Sequence, residues 1–239
     1  MKNHQFIIGA FASIAAINCY AEDATNYGAW KGSVELGIVN TTGNTETKTT
    51  SAKAKAATET ENWRHTITYE SLNSSDQGVT TAERYAINGQ SDYKLDKKNF
   101  FFAMINYEED KFSGYEYRMT EAVGYGRRVL EEPNLSLDLE IGPGARQSKP
   151  DTGSTENETM VRGAAKLVWK ISKTSTFTED LSTDAGEDNT ITKSVSALTA
   201  QINGSLATKI TYTVKNTSEV PVGVKKTDTE TAVTLVYNF

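Results

Sequence analysis

The chain has almost no cysteine: its 239 residues include one, Cys19. A disulfide framework, a cysteine-ligated metal and an iron–sulfur cluster are therefore excluded for everything after that residue. Proline is also scarce, with 4 residues, and proline cannot donate to a sheet ladder. After residue 21 no apolar run reaches the roughly 20 residues of a transmembrane helix. A net charge of −6 argues against nucleic acid as a partner.

The N-terminus has the pattern of a secretory signal peptide. One lysine, Lys2, precedes an uncharged and mostly apolar stretch over residues 6–17, and small residues at Cys19 and Ala21 follow it. This order predicts cleavage after Ala21. Residues 1–21 would then be removed, and residues 22–239 would form a single exported domain. A buried first helix and lipidation at Cys19 are the alternatives.

The C-terminus alternates apolar and polar residues over 227–239, as a half-buried strand does. The chain ends on an aromatic, Phe239, with Tyr237 two residues before it. This ending resembles the insertion signal of bacterial outer-membrane barrels. The resemblance implies that the barrel assembly machinery reads Tyr237 and Phe239, and that periplasmic chaperones escort the exported chain.

The alternation predicts an all-β fold: an antiparallel, up-and-down transmembrane β-barrel of about twelve strands. Most predicted strands have the roughly 9–11 residues that a tilted strand needs to cross a bilayer. An even count puts both termini on one side, here the periplasm. The predicted strands are Trp30–Val39, Thr45–Thr58, Trp63–Ser71, Thr81–Tyr93, Phe100–Asp110, Tyr115–Val129, Leu135–Arg146, Glu158–Lys170, Thr174–Ser182, Ile191–Leu206, Ile210–Val220 and Thr227–Phe239.

The predicted connections differ on the two sides of the barrel. Those after even strands are short, including Ala207-Thr208-Lys209, whereas residues 72–80, 147–157 and 183–190 form longer loops after odd strands. Short periplasmic turns and longer extracellular loops are typical of outer-membrane barrels. Aromatic residues near the proposed periplasmic ends predict an interfacial girdle: Trp30, Trp63, Tyr93, Trp169, Tyr237 and Phe239.

Several short motifs occur one after another along the chain. They include Trp30-x-Gly32, Thr42-Gly43-Asn44-Thr45, Trp63-Arg64, the stretch 107–118, Gly124-Tyr125-Gly126, Gly142-x-Gly144-x-Arg146, Asp228 and Tyr237-x-Phe239. Together they resemble the salt-induced outer-membrane protein family of Gram-negative bacteria. That resemblance implies an outer-membrane barrel in contact with lipopolysaccharide, and no defined biochemistry.

The inward face carries charges of both signs in similar numbers. A mixed lumen can pair internally and fill a narrow barrel, or it can conduct small solutes with arginines setting the selectivity. Arg84, Arg118, Arg128 and Arg162 are the arginines in question. The predicted lumen-lining residues are Glu35, Arg84, Asp92, Arg118, Asp138, Glu140, Arg162, Lys166 and Glu230, with Lys53, Lys55, Glu116 and Arg128 on the same predicted faces.

Catalysis has little support in the sequence. His65 is the one histidine after the leader, and we expect it to be an interfacial aromatic, with a catalytic base as the alternative. Acidic residues at 108–110 and 184–188 are expected to be solvated loop residues. The alternatives are a protease-like acidic rim, or weak Ca²⁺ or Mg²⁺ bridging to lipopolysaccharide by residues 184–189. We expect no cofactor and no resident metal.

These observations favour a non-enzymatic outer-membrane barrel with an envelope role, which the family label connects to salt or osmotic stress. A narrow channel for small solutes or ions is the second hypothesis. A barrel enzyme acting on lipid or peptide is the third.

Overall fold

A computed structural model describes residues 28–42, 47–76, 79–221 and 223–239, so the predicted leader and its cleavage site at Ala21 lie outside the described residues. Among the described residues, no helix has the length and apolar character needed to cross a membrane. The described chain forms twelve strands: β1 Trp30–Thr42, β2 Thr47–Glu59, β3 Trp63–Asp76, β4 Val79–Lys94, β5 Asn99–Asp110, β6 Tyr115–Glu132, β7 Leu135–Pro150, β8 Glu156–Lys170, β9 Ser175–Gly186, β10 Thr190–Gln201, β11 Leu206–Thr217 and β12 Thr227–Asn238.

The strands form a closed antiparallel barrel in which each strand pairs with its neighbours in sequence, and β1 pairs with β12. The closing register aligns Leu36 with Leu235. Phe239 extends the seam, because its backbone N–H donates to Gly32 at 2.9 Å and its carbonyl accepts from Gly32 at 2.8 Å. The Phe239 ring occupies the space that a Cβ on Gly32 would fill. The predicted twelve-strand barrel is therefore confirmed, and the Trp30-x-Gly32 motif has a packing reason.

Alternation along each strand separates the two faces of the wall. In β12, Val233 and Leu235 are exposed on the outside, whereas Ala232 and Val236 are buried inside. An apolar exterior and a mostly polar interior are the pattern of a transmembrane barrel, because only the outer face meets lipid. Because successive side chains of a strand point to opposite faces, the same alternation in the sequence identifies a strand and shows which of its residues face outwards.

Aromatic side chains ring the outer surface at two levels. Trp63 packs edge-on against Tyr93 with centroids 5.1 Å apart, near the end of the barrel where β1 begins and β12 ends. At the other end, Tyr107 stacks on Tyr117 at 5.8 Å. Aromatic belts of this kind mark the two interfaces of a bilayer. All six aromatics of the predicted girdle are exposed, and the second belt was not predicted.

We call the end with the connections after even strands the turn end, and the opposite end the loop end. Three predicted loops at the loop end are largely strand: β3 reaches Asp76, β7 reaches Pro150 and β9 reaches Gly186. The predicted contrast in loop length was therefore too strong, because polar alternation continues past the apolar band. The longest connection in which every residue is described is 151–155, between β7 and β8.

The predicted turn at Ala207-Thr208-Lys209 was wrong. The turn lies at residues 202–205, where the Asn203 side-chain oxygen accepts from the backbone N–H groups of Ser205 and Leu206, both at 3.0 Å. Asn and Gly favour tight turns, and Asn203-Gly204 supplies both. Lys209 therefore lies inside β11 rather than in a turn.

Candidate functional site in the barrel lumen

The inward faces of all twelve strands line a chamber of about 1170 Å³. A barrel of eight strands is just wide enough for side chains to fill, whereas sixteen strands leave an aqueous channel. Twelve strands leave here a chamber large enough for a small solute. Its walls carry charged, hydroxyl and amide side chains from every strand.

The predicted lumen-lining residues divide between two regions. Seven line the chamber: Glu35, Asp92, Arg118, Asp138, Glu140, Arg162 and Lys166. Arg84 and Glu230 lie with Arg118 in a narrower region towards the loop end. Lys53, Lys55 and Arg128 also face the chamber. Glu116 does not: a register shift between Tyr115 and Tyr117 interrupts the alternation, and its side chain is exposed.

The narrower region, which we call the constriction, encloses about 60 Å³. Glu108 is its central anion and accepts from Lys215 at 2.7 Å and from Arg118 at 3.1 Å. Arg84 donates to Glu230 at 2.9 Å. These side chains are mostly buried. Charges withdrawn from water in this way are stable only when they are paired and hydrogen-bonded.

Two of these ion pairs cross the barrel. Glu108 is on β5 and Lys215 is on β11, which lie six places apart in the ring of twelve strands and so form opposite walls. Arg84 on β4 reaches Glu230 on β12, four places away. The paired side chains therefore meet across the lumen and occupy its space, and this explains why the constriction is narrow.

Loop residues also cover the constriction. The turn between β5 and β6 and the connection between β11 and β12 contribute Phe112, Val220 and Val224 to its lining. Gly114 has a positive φ of 80°, and a Cβ there would lie 2.9 Å from the Pro221 ring. Connections from opposite walls thus meet over the loop-end mouth, and Gly114 allows both the turn and the close approach.

Near the turn end, ion pairs run along the wall instead. Arg64 donates to Asp92 on the adjacent strand at 2.7 Å. Arg128 makes a bidentate contact with Asp138, at 2.7 and 2.9 Å. Asp138 also lies 3.7 Å from Arg64, which joins the two pairs. The two shorter pairs join neighbouring strands, whereas the longer Arg64–Asp138 contact reaches from β3 to β7, four places away.

An apolar ridge projects into the lumen from the β5–β8 wall. Phe100 and Phe102 are its largest members, and Met104, Ala122 and Met160 complete it. The rings of Phe100 and Phe102 lie where side chains on Gly126 and Gly124 would project. The glycine motif on β6 therefore makes room for the ridge, which narrows the chamber on this side.

Lysines from three separated strands face the middle of the chamber. We call Lys55, Lys166 and Lys209 the lysine group. Lys209 contacts both carboxylate oxygens of Glu35, at 3.0 and 3.2 Å. Lys166 lies 3.7 Å from Asp180, and both side chains are about half exposed. Lys55 makes no hydrogen bond or ion pair within the part of the chain that the structure describes.

The four arginines predicted to set selectivity are all paired, which differs from that expected role. Besides the pairs of Arg84, Arg118 and Arg128 above, Arg162 donates to Asp184 at 2.7 Å. A paired arginine presents little net charge to a passing solute, so Lys55, which makes no such contact, is the more available positive charge.

Sequence reasoning missed several residues that shape the lumen. Glu108 was interpreted as an exposed loop acid, but it is the inward anion of the constriction, while its neighbour Glu109 bonds the Tyr107 hydroxyl at 2.7 Å. Lys209 was missed because the preceding turn was misplaced, and the Asn203-Gly204 pair was the available signal. Lys215 carried no local signal, because its importance depends on which strand lies across the barrel.

His65 faces outwards, away from the lumen. Its ring stacks on Trp63 with centroids 5.5 Å apart, and its Nδ1 lies 2.9 Å from the Ser91 hydroxyl. Among the described residues no carboxylate contacts its other ring nitrogen, so the geometry of a Ser–His–acid triad is not assembled here. The histidine occupies the position of an interfacial aromatic.

Comparison with known proteins agrees with this architecture. A family model with the description "Protein of unknown function, DUF481" matches residues 34–239. The uncharacterized protein YdiY of Escherichia coli (strain K12) is 29% identical over 215 residues, which cover 87% of this chain and 83% of that protein.

Solved structures show the same fold at low sequence identity. The NanC porin matches with a TM-score of 0.59 and 11% identity, over 85% of this chain and 98% of that one. The NalP translocator domain from Neisseria meningitidis matches with a TM-score of 0.51 and 11% identity, over 90% of each chain. The KdgM porin matches with a TM-score of 0.50 and 12% identity, over 87% of this chain and 99% of that one. The chain thus has the fold of a porin-like outer-membrane barrel.

Proposed function

This chain belongs to the DUF481 family, and we propose that it is a narrow outer-membrane channel for small hydrophilic solutes. The observation that carries the proposal is the 1170 Å³ chamber lined by all twelve strands. A purely structural barrel of this size needs no such space, because apolar side chains could fill it. The chamber is also polar, as a path for hydrated solutes must be.

The constriction supports a selective channel rather than an open pore. Its side chains are charged and hydrogen-bonded, and they lie where the bore is narrowest. Charged rings and narrow bores are the usual sources of selectivity in channels. A solute that passes must fit beside the crossing ion pairs or displace them.

A closed barrel with an envelope role, including a role in salt or osmotic response, is the competing function. The crossing of the lumen by Lys215–Glu108 favours it, because this pair joins opposite walls. Under that function the chamber would hold water without conducting. Both proposed functions are non-enzymatic.

The remaining features of the proposal concern export and orientation. We infer that residues 1–21 direct export with cleavage after Ala21, and that the turn end faces the periplasm. The exposed, stacked rings of Tyr237 and Phe239, 6.3 Å apart at the turn end, suit recognition by the assembly machinery after delivery by periplasmic chaperones. The loop end would then meet lipopolysaccharide.

Single-channel recording tests the proposed function directly. The chain without residues 1–21 would be refolded in detergent, checked for heat-modifiable migration on a gel, and reconstituted into a planar bilayer. We expect stable, stepwise conductance that is small for a twelve-stranded barrel. A folded barrel that inserts but never conducts would contradict the channel and support the closed barrel.

A further inference from the structure

The chamber has a charge opposite to that of the whole protein. Its lining includes twelve basic and nine acidic side chains, whereas the whole chain has a net charge of −6. Charge of one sign that is focused in a low-dielectric cleft raises the local concentration of the opposite ion. The lining alone therefore favours negatively charged solutes over positively charged ones.

Three of the basic side chains that line the chamber form the lysine group. Lys55 on β2 and Lys166 on β8 stand on strands six places apart, and Lys209 on β11 is three places from each. Lys166 and Lys209 are close enough for their charges to repel that of Lys55, while the charge of Asp180 attracts it from beyond ion-pair distance. Three ammonium groups from separated walls thus point into one space, and an anion between them would relieve their repulsion.

The existing partners leave room for such an anion. Lys55 has no carboxylate partner in the described chain, and the Lys166–Asp180 contact is long and exposed to water. Exposed pairs of this kind contribute little, about 0–1 kcal/mol, so a ligand can compete with Asp180. Lys209 is held more firmly by Glu35 and would act mainly through its charge.

Uncharged polar groups line the chamber together with the lysine group. Thr178 and Ser182 of β9, Thr199 of β10, and Ser33 and Asn238 beside the seam all line the same chamber. Hydroxyl and amide side chains both donate and accept hydrogen bonds. They suit a ligand that carries several hydroxyl groups beside its negative charge.

The opposite wall limits where the anion can lie. Asp92 and Asp138 are neutralised by Arg64 and Arg128, but Glu140 accepts only from the Gln90 side chain, at 2.9 Å, among the described contacts. Its charge would repel an anion on the β4–β7 side. The favourable position is therefore against β2, β8 and β11.

We propose that the lysine group is a binding site for a small hydroxylated oxyanion, with Lys55 as its principal contact. This proposal rests on the channel function, since it names the class of solute that the channel would favour. Lysine is a compact point charge without a planar fork, so carboxylates and phosphates share the chemistry that the site recognises. The experiment separates these two classes.

Calorimetric binding to the refolded barrel in uncharged detergent tests the site without requiring conductance. Gluconate, sorbitol and sorbitol 6-phosphate share one carbon skeleton and differ in charge. At low ionic strength we expect gluconate to bind and sorbitol not to bind. Binding should weaken at about 0.5 M salt, where screening extends only about 4 Å. Tighter binding of the sugar phosphate would assign the site to phosphates, and tighter binding of gluconate would assign it to carboxylates.

Two variants change the affinity in opposite directions. Lys55→Gln removes an exposed side chain without a partner, so the barrel should fold, and gluconate should bind roughly tenfold more weakly, equivalent to about 1.4 kcal/mol. Glu140→Gln should bind it more tightly. Lys173→Gln, in the turn between β8 and β9, is the matched control and should leave the affinity unchanged. Equal affinity in wild type and Lys55→Gln, or no gluconate binding at all, would overturn the proposal.

The same samples in a bilayer separate the two proposals. A barrel that binds gluconate but never conducts would contradict the channel and leave the binding site intact. A barrel that conducts, prefers cations and does not bind gluconate would support the channel and overturn the site.

Discussion

The constriction and the chamber use the same charged residue types in different geometries. In the constriction, Glu108 and Lys215 join opposite walls. Beside the chamber, Arg64–Asp92 and Arg128–Asp138 join adjacent strands. The enclosed volume is about 60 Å³ in the constriction and about 1170 Å³ in the chamber, and the crossing pairs and the loop residues together fill the smaller space.

This comparison explains how one sequence pattern produces two kinds of lumen. An ion pair between adjacent strands satisfies its charges at the wall and leaves the centre free. An ion pair between distant strands occupies the centre of the lumen. The width of the lumen therefore depends on whether inward charges pair along the wall or across the barrel, and not on how many such charges there are.

Glu108→Gln should give the largest change, because Glu108 is the shared acceptor of Lys215 and Arg118. The substitution leaves two buried cations without their carboxylate. Removing one partner of a buried pair costs about 3–5 kcal/mol, so the free energy of unfolding should fall by about that amount. Urea titration of the barrel in lipid vesicles, followed by tryptophan fluorescence, measures it.

Glu109→Gln is the control for this substitution, because Glu109 is the next residue and bonds the Tyr107 hydroxyl outside the lumen. The same chemical change there should alter the unfolding free energy by less than about 1 kcal/mol. Equal losses in the two variants would contradict the view that the crossing pair is the stronger structural contact.

The twelve strands were predictable because strand faces follow a period of two that is local in sequence. β12 shows this most clearly, with Val233, Leu235 and Tyr237 on the lipid face. The strand ends at the loop end were less predictable. Alternation of polar residues continues up to Asp76 and Pro150, so the pattern contains no signal for the edge of the membrane.

The arrangement of the lumen was only partly predictable. Which residues face inwards follows from alternation. The prediction that Glu116 faces inwards was wrong, because the β-bulge beside it carries no clear sequence signature. Which inward residues meet each other depends on barrel circumference and shear. Glu108 and Lys215 are 107 positions apart, and nothing local in either segment indicates the contact.

The second prediction compares a crossing pair with a wall pair. Replacing both Arg84 and Glu230 with alanine removes a contact between β4 and β12. It should raise single-channel conductance about twofold, because a narrow constriction is the main resistance in series. The matched variant replaces Lys53 and Glu70, which pair at 2.5 Å on adjacent strands.

The double alanine variant at Lys53 and Glu70 should change conductance much less, because its wall pair does not span the bore. Both variants remove one positive and one negative charge, so net charge is unchanged in each. A larger increase from the wall pair would reverse the assignment of the constriction.

The smallest expected effects lie at the two rims, where pH distinguishes them. At the turn end, the Asn99 side chain and the backbone N–H groups of Lys98 and Asn99 lower the pKa of Asp96. At the loop end, the hydrogen bond to Glu83 raises the pKa of Lys111. A carboxyl group whose pKa is lowered by folding stabilises the fold at any pH above its pKa in the unfolded state. That stability is lost as the pH falls through its pKa in the folded state. A lysine whose pKa is raised by folding stabilises the fold at any pH below its pKa in the unfolded state. That stability is lost as the pH rises through its pKa in the folded state.

Asp96→Ala should therefore unfold slightly more easily than wild type at neutral pH, with the gap closing in acid. Lys111→Met should show a small gap at neutral pH that closes in alkali instead. Unfolding midpoints in urea at acidic, neutral and alkaline pH measure both gaps. Because both side chains are exposed and outside the lumen, neither variant should alter conductance. A gap that closed on the same side of neutrality in both variants would contradict the two hydrogen-bond assignments, and a conductance change from Lys111→Met would mean that the loop-end rim takes part in the constriction.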